Sequence, residues 1–298
     1  MEESKGTRCE NTIINERQLI DFEANLKLEE KSTNTIGKYI RDVRAFASFC
    51  GNEPATKEKV ILYKNRLREK GYAVRSINSM LASLNSFFTF CGWYDCRVRL
   101  LKIQKKVYCP EEGELSKSEY VRLYRAAAEQ GNERLKLLIE TFGATGIRVS
   151  ELPFITVEAA QCGEASVSLK GKTRTVFLVR ALRENLLQYA AQHGIVSGTI
   201  FVTKNGAPLN RADIWRTLKN LAIKAGVDPR KVYPHNFRHL FARAFYEIDH
   251  DIAKLADVLG HSSIDTTRIY IISSGKEHRE QMERMGMVRE EIEEKNAT

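Results

Sequence analysis

LGHSSIDTTRIY, residues 259–270, is the stretch whose reading decides the fold, and it follows directly on DIAKLADV, 251–258. The leading segment repeats apolar residues at helical spacing, and Gly260 can take the conformation that ends a helix. The hydroxyl-rich residues after it can start another. That rhythm fits a helix-turn-helix whose second helix reads a DNA groove. The same residues set His261 and Tyr270 nine positions apart, which fits one side of an active site. Tyr270 is a core aromatic in the first reading and a reacting group in the second. The rest of the chain has to choose.

The chain has 298 residues, enough for one large domain or two ordinary ones, and its 43% hydrophobic content can fill real cores. Forty-seven basic residues against 38 acidic ones leave a formal charge of +9. Such a surplus suits a polyanion, because lysines and arginines that neutralise phosphates release condensed counterions. No run reaches the roughly 18 apolar residues of a membrane span, and MEESKGTRCE, 1–10, is no signal peptide. The six cysteines (Cys9, Cys50, Cys91, Cys96, Cys109, Cys162) lack CxxC spacing and read as reduced thiols of a cytoplasmic protein.

Residues 1–14 are polar and expected to fray. From 15 to 95 the pattern is helical. In the segment 32–50, Ile36, Ile40, Val43, Phe46 and Ala47 share one face, which turns Lys38, Arg41 and Arg44 toward solvent. Thr56 can cap a helix that stops at Gly71, and Ser76 can cap one carrying Ile77, Leu81, Leu84 and Phe88. Between Lys57 and Arg75 lie seven basic residues and two acidic ones. This is either a solvated face or one that meets phosphates, with Lys38, Arg41, Arg44 and Arg75 as candidate DNA contacts. Residues 96–113 form a basic linker ending in Pro and Gly. A second domain, 114–280, opens on the capping box Ser116-x-x-Glu119. It continues with a helix carrying Leu135, Leu138, Ile139 and Phe142, and a hairpin over 166–179 turning at Gly171. Helices follow near 181–193, 210–225, 235–247, 250–259 and 263–272, and a charged tail occupies 281–298.

Three further sites carry chemistry-bearing residues. In TGIRVSEL, 145–152, Arg148 follows an apolar helix, where a buried guanidinium needs a carboxylate or phosphate; Glu151 is the obvious structural partner. Lys172 sits at the hairpin tip, with Lys170 and Arg174 competing for the same turn. In PHNFRHLFARAF, 234–245, Pro234 fits a helix start, and His235 and Arg238 share a face at i, i+3. That pair could clamp a phosphate at the helix N-terminus. His235 and His239 have a spacing that can hold zinc, but no third ligand stands near, so no metal is expected. A plain helix-turn-helix would leave these sites unexplained.

Taken in order, TGIRVSEL, the hairpin LKGKTR, HNFRH and LGHSSIDTTRIY resemble the tyrosine recombinase (phage-type integrase) family across 114–275. The resemblance implies a mainly α fold with a small β-hairpin. It also implies two domains closing as a C-shaped clamp on duplex DNA, with 15–95 as a SAM-like core-binding domain. Residue by residue, Arg148 and Arg238 would grip the scissile phosphate, and His235 and His261 would hydrogen-bond it. Lys172 would protonate the leaving 5′ oxygen, Tyr270 would be the nucleophile, and Glu151 and His239 would support them. The length leaves no room for an arm-binding domain before the bundle, which fits a member of Xer-like size. Four protomers would synapse two double-stranded DNA sites and pass through a Holliday junction, the free protein being a monomer or weak dimer. The helical segment after Tyr270 would dock on a neighbouring protomer. Integration, excision, inversion and dimer resolution all stay open, in a bacterium, phage or mobile element.

The chemistry agrees with that implication. In-line attack concentrates charge on the equatorial oxygens, where preorganised guanidinium groups are most effective. A phenol with an ordinary pKa of about 10 must lose its proton as it attacks, and the alkoxide leaving group needs an acid. A phosphotyrosine keeps the bond energy, so no ATP, metal or other cofactor is expected. Two alternatives remain at this point. One is a type IB-like topoisomerase with a similar residue set, and the other is a helix-turn-helix protein that binds DNA without cleaving it.

Overall fold

The computed structural model describes residues 12–103, 113–169, 171–203, 205–270 and 282–287. Contacts divide the chain into two compact units, Met1–Lys105 and Lys106–Thr298. Most of the start expected to fray, residues 104–112 of the expected linker, Lys170, Cys9, Cys109, the expected docking segment at 271–281 and the tail beyond 287 lie outside the described residues. The described cysteines Cys50, Cys91, Cys96 and Cys162 are free thiols.

The first unit consists of α1 (Glu16–Leu28), α2 (Thr33–Cys50), α3 (Lys57–Glu69) and α4 (Val74–Phe90). Side chains of Asn15, Ser32 and Thr56 cap the first three, each accepting a backbone N–H three residues on. The expected Ser76 cap is corrected. The helix starts earlier, at Val74, because the Ala73 carbonyl already accepts the N–H groups of Ser76 and Ile77. Phe22, Phe46, Phe87 and Phe88 are wholly buried, each burial stabilising by about 1.5–3 kcal/mol. Their rings meet edge-on, Phe22 with Phe87 at 5.3 Å and Phe46 with Phe88 at 5.9 Å.

Periodicity misplaces one lysine in this bundle. Lys38 turns inward: its ammonium pairs with buried Asp42 and also donates to the Ser79 carbonyl (3.1 Å) and Ser83 Oγ (3.2 Å). Asp42 is 7% exposed, and an ionised carboxylate at that depth needs a cation. Arg41 and Arg75 are exposed as expected, and exposed Arg44 pairs with Glu16 at 2.9 Å.

The second unit is built around α6 (Glu133–Thr145), which buries Leu135, Leu137, Leu138, Ile139 and Phe142 against its neighbours. Ahead of it runs α5 (Lys117–Glu129), opened by the Ser116/Glu119 capping box. A 3₁₀ turn, Val149–Phe154, contains Pro153 and leads to α7 (Val157–Cys162); the sequence pattern had shown neither. The antiparallel hairpin pairs β1 (Glu164–Leu169) with β2 (Lys172–Phe177), matching Leu169 with Lys172 and Val167 with Arg174. After it come α8 (Arg180–Gln192), α9 (Arg211–Lys224), α10 (Pro234–Asp249), α11 (Ile252–Leu259) and α12 (Ile264–Arg268). The helix expected over 263–272 is shorter, so Tyr270 lies just beyond it, with its backbone N–H on the Thr267 carbonyl at 2.9 Å. The architecture is mainly helical with one small hairpin, the expected class. No helix among the described residues is long and apolar enough to cross a membrane.

Candidate active site

Helix ends build the site. At Gly146, α6 closes in the left-handed conformation (φ 58°), and a side chain there would strike the Phe241 ring at 2.5 Å. This turn releases Arg148. Pro234 opens α10, so His235 stands at its start and Arg238 one turn in. Gly260 ends α11 at φ 65°, ψ 46°, and delivers His261.

Arg238 is the pivot. It is 1% exposed, and its two Nη atoms donate to the carbonyls of Gly146 (2.6 Å) and Leu259 (2.7 Å). Those carbonyls end α6 and α11, where helix dipoles favour a cation. Arg238 Nη2 also meets His261 Nε2 at 2.8 Å. A guanidinium only donates, so that nitrogen accepts, which puts the imidazole proton on Nδ1, 2.8 Å from Thr267 Oγ1. Arg238 Nε is buried without a hydrogen-bond partner.

Tyr270, 6% exposed, packs with Ala242, Leu255 and Leu259, so it is a core aromatic as well as a site residue. Its ring centroid lies 4.4 Å from His239, 5.4 Å from His261 and 5.6 Å from His235. The Arg238 guanidinium carbon is 5.9 Å from that centroid. On the opposite side Glu151, nearly buried, binds Arg148 Nη1 at 2.8 Å and the Arg148 N–H at 2.9 Å. Burial pushes the Glu151 pKa up, but bonds from Arg174 and Arg148 outweigh it and hold the carboxyl at about 2.

The histidines carry the opposite signature. Burial first, then the charges of Arg238, Arg148 and Arg174, bring His261 down to about 4. His239 is also held at about 4, by burial and then by His235 and Arg243. His235, at the rim, is lowered by partial desolvation, Arg238 and Arg148. Burial and the Arg148 charge bring Arg238 itself down to about 10. The histidines are therefore neutral near pH 7, and among the described residues the three arginines Arg148, Arg174 and Arg238 outnumber the one carboxylate set among them, Glu151, so the site favours an anion.

A cleft of about 330 Å³ opens onto Arg148, His235 and Arg238, and Arg211, Trp215 and Tyr233 also line it. Five of the sequence-derived residues (Arg148, His235, Arg238, His261 and Tyr270) thus gather, with Glu151 and His239 directly behind them. Lys172 opens β2 beside Gly171 (φ 71°) and pairs with Leu169. Sequence reasoning missed Thr267 and Glu114. Glu114 pairs with Arg243 and lies 3.9 Å from His239 Nδ1, which is itself buried without a hydrogen-bond partner. Thr267 lies within LGHSSIDTTRIY but spacing does not single it out from the other hydroxyl residues there, and Glu114 precedes His239 by more than a hundred positions. Among the described residues, no group of three or more His, Cys, Asp or Glu side chains could hold a metal ion.

Comparison with known proteins fits this geometry. The family model described as "Phage integrase family" matches residues 114–277, and one described as "Phage integrase, N-terminal SAM-like domain" matches 19–93. Tyrosine recombinase XerA of Pyrococcus furiosus is 31% identical over 91% of this chain and 94% of its own length. Tyrosine recombinase XerD of Staphylococcus saprophyticus is 27% identical over 87% of this chain and 93% of its own. In fold, the chain is similar to the XerH site-specific recombinase in a post-cleavage complex with palindromic difH substrate. That match has a TM-score of 0.72 at 16% identity and covers 92% of this chain and 90% of that one. A helix-turn-helix rhythm, four dispersed motifs and a cationic cluster around a buried tyrosine therefore have one origin: the chain belongs to the phage integrase family and is a DNA-recombining enzyme of the tyrosine recombinase type.

Proposed function

We propose that the chain cleaves and rejoins specific duplex DNA sites through a 3′-phosphotyrosine at Tyr270. The observation that carries this reading is the convergence of Arg148 and Arg238 with neutral His235 and His261 beside Tyr270, where, among the described residues, Glu151 is the carboxylate bound to Arg148. A phosphodiester entering the cleft supplies the missing charge. The guanidinium groups of Arg148 and Arg238 take its non-bridging oxygens. Tyr270 Oη attacks phosphorus, its proton passes to neutral His235, and the bond to the 5′ oxygen breaks. Lys172, on the hairpin, protonates that oxygen. Lys170 is the competing acid, and the pairing of Arg174 with Glu151 favours either lysine over it. His239 backs the tyrosine ring. In the reverse step a 5′ hydroxyl from a second strand displaces the tyrosine, so bond energy is conserved without ATP.

In this account both units bind duplex DNA, with exposed Arg41, Arg44 and Arg75 of the first meeting phosphates. Four protomers synapse two sites and resolve through a Holliday junction. Circular plasmids carrying two candidate sites test the reading, with deletion or inversion products as the expected result. Relaxation of any supercoiled plasmid without strand exchange would instead support a type IB-like topoisomerase. Binding without a covalent adduct would support the non-cleaving reading.

A further inference from the structure

Arg174 stands on the hairpin two residues beyond Lys172. Its side chain is 9% exposed and grips Glu151 side-on, Nη2 to Oε2 at 2.5 Å and Nε to Oε1 at 3.2 Å. Nη1 donates to the Val258 carbonyl at 2.8 Å, in the last turn of α11. Its aliphatic stem lies over Gly260: a side chain there would meet Arg174 Cδ at 2.2 Å. One side chain thus bridges three segments. These are the hairpin, the Arg148–Glu151 turn, and the α11 end that delivers His261.

The hairpin's own register explains why such a bridge matters. Buried Val176 and Val167 anchor its base, and Arg174 pairs with Val167. Only Thr173 and Lys172 separate Arg174 from the turn, and its ion pair holds β2 there while Leu169 of β1 packs against the core beside it. Backbone pairing holds the two strands to each other but does not fix where the tip sits relative to the phosphate. An acid displaced by about 1 Å can lose about 100-fold in rate.

We infer that Arg174 is a positioning residue, which docks the general-acid hairpin against Glu151 and the end of α11 and so ties the acid to the segment bearing His261. This rests on the proposed role of a hairpin lysine as acid, and the test separates the two claims. Cleavage is measured on suicide duplexes with an ordinary 5′ oxygen and with a 5′-sulfur at the scissile bond. Sulfur leaves without needing a proton, so a defect confined to the acid disappears on that substrate.

The ratio of the two rates in a single preparation cancels the fraction of active protein, so partial unfolding of a variant does not blur it. Arg174→Ala is expected to lose about 100-fold on the oxygen ester and less than about 5-fold on the sulfur ester. Arg174→Lys keeps the charge without the fork, and should fall between this variant and the parent with the same pattern of rescue. Lys172→Ala and Lys170→Ala, run in parallel, identify the acid. If one lysine variant is rescued by sulfur while both Arg174 variants lose equally on the two esters, the positioning role is overturned and the hairpin acid stands. If neither lysine variant is rescued, the acid assignment fails and the role of Arg174 fails with it.

Discussion

Gly260→Ala probes the turn that joins helix end to active site. At φ 65° a residue with a Cβ costs about 1–2 kcal/mol relative to glycine. The new methyl group would also fall 2.2 Å from Arg174 Cδ. That atom cannot swing aside freely, because the guanidinium beyond it is held by Glu151 and the Val258 carbonyl. Overpacking of this kind adds about 1–3 kcal/mol. The sum is roughly 2–5 kcal/mol, or a fall in Tm of about 5–20 °C for a unit of this size. Gly171→Ala is the matched control. It shares the left-handed backbone (φ 71°) but meets nothing within 4 Å, so only the about 1–2 kcal/mol backbone cost applies. Urea unfolding read by tryptophan fluorescence and far-ultraviolet dichroism measures both variants. Equal destabilisation of the two would refute the packing of Arg174 on Gly260. In a background of Arg174→Ala, the excess cost of Gly260→Ala should shrink by the clash component, a coupling of about 1–3 kcal/mol.

Other outcomes follow from the same geometry. His239 and His261 are held at about 4 in the folded protein against about 6.5 unfolded, so the unfolded chain binds more protons between those values. Stability should therefore fall as pH drops from 6.5 toward 4, and a denaturation midpoint that is flat or rising over that window would contradict the buried neutral histidines. Glu151→Leu removes the anion between Arg148 and Arg174 and should cost about 3–5 kcal/mol in chemical denaturation, where a cost under about 1 kcal/mol would show the pair to be dispensable. Lys38→Met should destabilise the first unit by about 1–3 kcal/mol, since it strips the cation from buried Asp42. Arg41→Ala and Arg75→Ala should instead leave stability within about 0.5 kcal/mol. Each should reduce the salt dependence of DNA binding by about one unit of log–log slope, and unchanged slopes would remove those residues from the contact surface.

Residue type and order carried most of the site into view. Arg148, His235, Arg238, His261 and Tyr270 were legible because each sits in a distinct local word, and glycine or proline marks the helix ends that aim Arg148, His235 and His261. Apolar spacing located most helices for the same local reason. Contacts between distant segments were not legible. Lys38 looked exposed because the helical period does not register Ser83 and Ser79 on another helix, which receive it. Arg174 looked like one more basic hairpin residue until Glu151 and Val258 were seen around it. The 3₁₀ turn containing Pro153 escaped for a different reason: it is too short to show a period, and Thr156, which caps the next helix, precedes only six helical residues.

The central claim is that Tyr270 becomes covalently linked to DNA. The most direct measurement is mass spectrometry of tryptic peptides after reaction with a nicked suicide duplex and nuclease trimming. The account predicts a nucleotide remnant on the peptide 269–276, IYIISSGK, with loss of the adduct in Tyr270→Phe and its retention in Tyr246→Phe. An adduct that survives Tyr270→Phe, or a remnant carried by Tyr246, would contradict it.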